Sequence, residues 1–186
     1  MDSILGFIID TVFLVFGIAL LVRAWAYAIR LHPFNSYSQA VTRLTDWLVQ
    51  PIRKLVSPRG KLDLPSLLAS WLTAFVYLLA TFIVISGRLP VIQWLLPALI
   101  ASLLITVKWA LNLVVWMTLI QAILSWVNPM APVMPVLQTL TAPLLNPIRR
   151  IMPNLGGIDF SPVVLLLLAQ VAMMVVQRIA YSALLL

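Results

Sequence analysis

Hydrophobic and polar positions divide the chain into long apolar runs separated by two polar connectors. The apolar runs cover Ile4 to Ala28, Leu64 to Ser86, Leu89 to Val127 and Val163 to Leu186. About 20 consecutive apolar residues in a helix cross a hydrocarbon layer of ~30 Å, so each run predicts a transmembrane helix, and all are far too long for barrel strands. The third run is excessive, because as one straight helix it would extend ~55 Å. Pro97 and Lys108 are its candidate breaks. The expectation is a span over residues 103–127, with residues 90–102 either a helix lying at the interface or an N-terminal extension of the span. Four spans result, with the last over residues 163–186; a fifth requires residues 89–102 to cross fully.

The connectors carry a helical pattern of their own. In residues 31–62, Val41, Leu44, Leu48, Ile52 and Leu55 recur at helical spacing, and Arg43, Asp46, Gln50, Arg53 and Lys54 take the other side. Such a helix lies on a membrane surface, where Trp47 and Tyr37 suit the half-polar interfacial level. Pro51 removes an internal donor and predicts a kink or a helix boundary. Residues 128–161 repeat the pattern with Val136, Leu140, Leu144, Ile148 and Ile151, with more prolines and less charge. That composition predicts a deeper position, or a re-entrant element covered by protein. Pro65 and Ser66 open the second span, and Gly87 with Arg88 closes it.

The two connectors are copies. Residues 45–63 align without gaps on residues 141–159 at a constant shift of 96, with seven identities: Thr45/Thr141, Leu48/Leu144, Pro51/Pro147, Ile52/Ile148, Arg53/Arg149, Gly60/Gly156 and Asp63/Asp159. Fixed-period similarity predicts a tandem repeat of two helical hairpins, residues 1–88 and 89–186.

Composition confines the class. The chain is 63% hydrophobic and 9% charged, where a soluble domain has roughly a quarter of its residues charged. The fold class is an all-α polytopic membrane protein. Cysteine is absent, which excludes disulfides, thiolate metal sites and cysteine nucleophiles. The net charge of +7 reports orientation and headgroup contact, and no direct nucleic-acid binding is expected. Arg30, Arg43, Arg53, Lys54, Arg59, Lys61, Arg149 and Arg150 lie at or in the connectors, which the positive-inside rule places in the cytoplasm. A cleaved signal peptide is disfavoured: Asp2 replaces the expected basic residues, and Arg23 interrupts the apolar run.

Four ionisable residues lie within or near apolar runs: Asp10, Arg23, Lys108 and Arg178. Charge at the bilayer centre costs ~2.5–3.5 kcal/mol on insertion scales, so each needs a partner, a water path or an escape to the interface. Asp10 and Arg178 are candidates for one pair, and Arg23 for a pair with Asp63 or Asp159. These residues either hold the structure together or form an ion or proton pathway. Asp63 and Asp159 stand where carboxylates accept backbone N–H bonds at helix starts, and Gly156 and Gly157 supply a tight turn. Arg53, Lys54, Arg149 and Arg150, with Gly156, Gly157 and Asp159, are the candidate lipid or partner site, since paired basic residues suit lipid phosphate. No Walker-type spacing accompanies them. His32 is the lone histidine and builds no metal site, and Ser125 and Ser161 have no base to activate them. No cofactor, metal or catalytic set is expected. Trp109, Trp116 and Trp126 suit packing and interfacial anchoring.

Two connectors ending in Pro, Ile, Arg and a second basic residue (Pro51 to Lys54, Pro147 to Arg150), each followed by Gly and Asp, resemble the YggT (YlmG) family of bacterial membrane proteins. The resemblance extends to Arg23 and Trp25, to Pro33, Phe34 and Asn35, to Ser38 and Gln39, and to the stretch from Gly156 to Pro162. The first copy departs from it at Lys54, at Lys61 and over Leu64, Pro65 and Ser66. The resemblance implies a multi-pass inner-membrane protein without established enzymatic activity. Relatives are associated with cell division, envelope or nucleoid organisation, haem assembly into a chloroplast cytochrome b complex, and osmotic or potassium phenotypes. The expectation is a non-enzymatic assembly or organising factor whose connectors bind anionic headgroups or a membrane or cytoplasmic protein. The alternative is a subunit of a small ion channel or transporter, which would need homo-oligomerisation.

Overall fold

The structure is a computed structural model that describes residues 4–31, 36–151 and 159–184. Among the described residues there are six helices: α1 (Ile4–Ala28), α2 (Ser36–Leu55), α3 (Leu64–Ser86), α4 (Ile92–Val127), α5 (Met134–Ile151) and α6 (Ser161–Leu184). The described residues hold no strand, only an isolated bridge between Arg59 and Leu62. Helices α1, α3, α4 and α6 are long and apolar enough to cross a membrane. The protein is an all-α polytopic membrane protein, with α2 and α5 in the two connectors.

Helix α4 takes the second of the two expected forms, the N-terminal extension, without the expected breaks. It runs unbroken for 36 residues through both Pro97 and Lys108. Pro97 lies in the second turn, where the missing N–H removes a single intrahelical bond. Lysine is a good helix former, so Lys108 burdens the bilayer and not the backbone. The segment before residue 103 is therefore an N-terminal extension, and at ~54 Å the helix must tilt or protrude. Helix α2 likewise passes through Pro51 and ends four residues later, so Pro51 is no boundary. Pro51 and Trp47, whose carbonyl it leaves unpaired, are both exposed, so water or headgroups can serve that oxygen.

Turns between the helices follow from local chemistry. Helix α1 ends with Leu31 N–H donating to the Ala26 carbonyl at 2.9 Å and Arg30 N–H to that of Tyr27 at 3.0 Å. This is a Schellman closure, and it holds Arg30 at φ +55. Arg59 and Leu62 exchange backbone bonds of 3.0 and 2.9 Å around Gly60, whose φ of +58 suits glycine. Helix α3 carries Pro65 in its first turn and closes on Gly87 at φ +64, which donates to the Ile83 carbonyl.

The chain forms two compact units, Met1–Ala110 with Val175–Leu186, and Leu111–Met174. In the first, α1, α2 and α3 pack together around Leu20, Val49 and Ala69, with Phe16, Leu48 and Ile52 against them. Phe13 meets Tyr77 at 5.8 Å and Phe16 stacks on Trp47 at 5.4 Å. Helix α3 turns small residues inward, with Ala69, Ser70, Thr73 and Ala74 all buried, which lets backbones approach closely. In the second unit, α5 buries Met134, Leu137, Thr141 and Leu145 at helical spacing together with Val136 and Leu140. It is thus covered more fully than α2, which buries only Thr45 and Val49.

Helix α2 has three sides. Thr45 and Val49 face the core, Arg43, Gln50, Arg53 and Lys54 form an exposed polar side, and Leu44, Trp47 and Leu55 remain 54%, 68% and 86% exposed. A bare apolar stripe beside a basic one is the signature of a helix lying at a lipid surface.

Gly17 allows a close approach of α4 to α1. A Cβ there would lie 2.1 Å from the buried Trp109 ring, so the indole rests directly on the α1 backbone. Gly17→Ala is expected to lower stability by about 1–3 kcal/mol through overpacking. Trp109→Leu in the same chain should recover part of that loss, read as a double-mutant cycle of thermal unfolding in detergent. Additive losses would place the strain elsewhere.

Candidate functional site

Arg23 is buried in α1 and reaches sideways to α2. Its guanidinium lies 2.9 Å from Asp46 and donates to the Thr45 hydroxyl at 2.9 Å and the Thr42 carbonyl at 3.4 Å. Asp63 and Asp159 were the expected partners, and neither takes the role. Helix α2 crosses α1 closely enough for Asp46 to arrive first, while Asp63 is held by Arg53. The Thr45 hydroxyl donates to the Val41 carbonyl at 2.8 Å, so its oxygen is free to accept from Arg23. A cation within an apolar helix is thereby neutralised by the connector that follows it.

The far end of α2 is fastened as well. Arg53 extends from its last turn to the Asp63 carboxylate, at 3.3 and 3.4 Å from the two oxygens. Asp63 is 1% exposed and also accepts from the Ser66 hydroxyl at 2.6 Å. Its side chain caps no backbone N–H, contrary to expectation; the Arg53 and Ser66 donors replace that role. Ninety-six residues later, Arg149 Nε donates to Asp159 at 2.8 Å. Here the carboxylate does accept a backbone bond, from Ser161 N–H at 2.9 Å. The serine stands three residues after Asp63 but two after Asp159, so both carboxylates find one despite the altered order.

The two clasps differ in environment. Asp63 is buried, whereas the side chains of Arg149 and Asp159 are 42% and 43% exposed. Partial burial alone would raise the Asp159 pKa, but hydrogen bonds from the Ser161 hydroxyl and N–H, then the hydrogen bond and charge of Arg149, outweigh it and hold the carboxyl below its usual value. Lys54 and Arg150, the second basic residue of each pair, are exposed. Gly156 and Gly157 lie outside the described residues, as does His32.

Thr45 and Thr141, both buried, are further equivalents, and so are fully buried Val49 and Leu145. In the second unit Thr141 donates to Gln121 of α4. These threonines were visible as identities and were missed as functional parts, because a threonine on an amphipathic helix carries no signal of facing a buried polar group.

Asp10 accepts from the Tyr77 hydroxyl at 3.0 Å. The expected pair with Arg178 does not form: Arg178 is exposed and joins no ion pair among the described residues. The antiparallel approach of α1 and α3 brings Tyr77 to Asp10 first. Asp10, Tyr77, Thr81, Ser86, Lys108 and Gln177 line one cavity of about 520 Å³ within the first unit, otherwise walled by aliphatic and aromatic side chains. Trp109 is packed inside, while Trp116 and Trp126 are 53% and 83% exposed, as interfacial or lipid-facing rings are.

The clasps should differ in strength. Asp63→Ala is expected to cost about 2–3 kcal/mol, because it strands the buried Ser66 hydroxyl and frees Arg53. Asp159→Ala, at an exposed pair, should cost below about 1 kcal/mol. Because the folded Asp159 pKa is lowered, its contribution is present above the usual carboxylate value of 3.8 and is lost as pH falls through the folded value. Thermal unfolding in detergent between about pH 5 and pH 3 should show a flatter acid limb for Asp159→Asn than for wild type.

The profile of the CCB3/YggT family matches residues 2–84 and 100–180. An uncharacterized protein YggT of Escherichia coli strain K12 is 38% identical over 176 residues, covering 94% of this chain and 90% of its own length. An uncharacterized protein of Vibrio alginolyticus is 31% identical over 169 residues, covering 90% of each chain. One of Haemophilus influenzae is 31% identical over 155 residues, covering 81% of this chain and 78% of its own. No solved structure matches. With both stretches of the profile and nearly the full length of these relatives aligned, the chain belongs to the CCB3/YggT family.

Proposed function

We propose that the protein is a non-enzymatic organising or assembly factor of a bacterial inner membrane, acting through the basic sides of α2 and α5 on anionic lipid headgroups and on a protein partner gathered there. The observation that carries this reading is the construction of α2. Arg53 of its polar side is tied to the start of α3, its core side is packed, and its remaining apolar stripe is exposed beside Arg43 and Lys54. Such a helix is fixed in rotation about its own axis, so its cations are presented in one direction. Helix α5 ends in the same way, with Arg149 clasped and Arg150 exposed. Four helices able to cross a membrane and relatives from bacteria support a bacterial membrane as the setting.

A second reading, a subunit of a small channel or transporter, is favoured by the cavity that Asp10 and Lys108 share. Ionisable groups in membrane-crossing helices mark pathways when they line a water-filled space.

The two readings separate by experiment. Arg149→Ala with Arg150→Ala should reduce co-purifying anionic lipid and partner about fivefold or more while the protein remains inserted, since each basic residue near an anionic leaflet contributes ~1 kcal/mol. Arg150→Ala alone, which spares the clasp, should show part of the loss. Unchanged co-purification removes the organising reading. For the conduit, Asp10→Ala should alter ion flux in liposomes, and a folded wild type that passes no ions removes that reading.

A further inference from the structure

Two cavities adjoin at Trp47. One, of about 430 Å³, lies between α1 and α3 beneath α2 and is walled by Val12, Phe16, Leu72 and Val76 together with Trp47. The hydroxyl on its wall, that of Thr73, turns back to the Ala69 carbonyl at 2.8 Å, so the space offers no polar group to an occupant. The other, of about 290 Å³, is bounded by Asp46, Trp47, Gln50, Pro51 and Lys54 on the polar side of α2. The Trp47 indole, stacked on Phe16, is the wall common to both.

We infer that this pair of cavities is a discrete phospholipid site, with one acyl chain in the groove between α1 and α3 and the phosphate at Lys54. The inference deepens the organising role and rests on that reading for its biological meaning, but its geometry stands apart from it. The occupant is identified by chemistry. Val12 and Val76 are about half exposed on membrane-crossing helices, so the groove opens to hydrocarbon and what enters comes from the bilayer. Asp46 is compensated by Arg23 at 2.9 Å. Lys54 joins no ion pair among the described residues, so the net charge facing the upper cavity is positive and selects an anion. An apolar slot and a cationic pocket that share an interfacial tryptophan as their common wall complement an anionic amphiphile in arrangement and charge. The site belongs to the first copy: at the shift of 96, Pro143 stands for Trp47 and Asn112 for Phe16, although Arg150 keeps the cation of Lys54.

The test uses purified full-length protein and phosphatidylglycerol carrying a diazirine midway along one acyl chain, with crosslinked residues mapped by mass spectrometry. The expected result is saturable labelling of residues around Val12, Phe16, Leu72 and Val76 that unlabelled phosphatidylglycerol competes away. Filling the groove with Val76→Trp, or from the opposite wall with Val12→Trp, should reduce this labelling about tenfold, and Lys54→Ala should raise the half-saturating concentration about fivefold. Arg149→Ala with Arg150→Ala should leave it unchanged. Labelling that fails to saturate, or that spreads over exposed residues such as Ile85 and Leu168 in proportion to their exposure, overturns the site and leaves annular lipid only. Saturable groove labelling beside undiminished partner recovery from the Arg149/Arg150 variant would retain the site and reject the organising role. The wild-type map alone decides the matter if a groove-filling variant fails to fold.

Discussion

A guanidinium five residues from the end of an apolar helix is the constraint on which the first unit depends. Arg23 cannot remain unpaired among lipid tails, and the connector supplies Asp46, Thr45 and the Thr42 carbonyl to meet it. That contact holds α2 against α1. Arg53 with Asp63 then holds the other end of α2 against the start of α3, and fully buried Val49 lies between the two fastenings. A helix pinned at two points with a packed residue between them can neither roll nor lift. The exposed apolar stripe, the basic side and the slot beneath Trp47 all follow from that fixed rotation.

Spans were legible because a bilayer imposes a length on apolar runs, and the amphipathic connectors because their polar positions recur with the helical period. Arg53, Arg149, Asp63 and Asp159 stood out through duplication, but nothing in the spacing said that they pair within each copy. Asp46 reads from the sequence as part of a solvated face, since its role depends on the angle at which α2 crosses α1, a tertiary property. Tyr77 and Gly17 left still less trace. A tyrosine in an apolar run reads as bulk, and a glycine reads as flexibility until the ring of Trp109 is seen against it. Helix α4 shows the opposite error: Pro97 and Lys108 are breaks by local rule, yet an early proline costs one bond and a lysine costs the backbone nothing.

The two connectors share the fastening and differ around it. Both copies keep Arg, Asp and a nearby serine, a buried threonine one turn before a fully buried apolar residue, and a second basic side chain left exposed. Around that frame the copies diverge. The carboxylate of the first clasp is buried and that of the second is open to solvent, and Asp159 reaches a backbone N–H where Asp63 reaches only side chains. A buried carboxylate that lost its donors would be stranded at high cost, whereas an exposed one could turn to water. The first clasp therefore suits a permanent fastening and the second a contact that forms and breaks at small cost.

That asymmetry bears on function. If both connectors served only to lie on lipid, there would be no reason for one to keep Trp47 over an apolar slot and the other to place Pro143 there. A tryptophan at that point offers a wall to an acyl chain; a proline offers a stiff, donor-free surface with no such reach. In the proposed role, the first connector with its apolar slot would hold the bilayer, and the second, with its exposed clasp beside exposed Arg150, would engage what approaches it. The same fastening thus stands in two environments, with its carboxylate buried in one connector and exposed in the other.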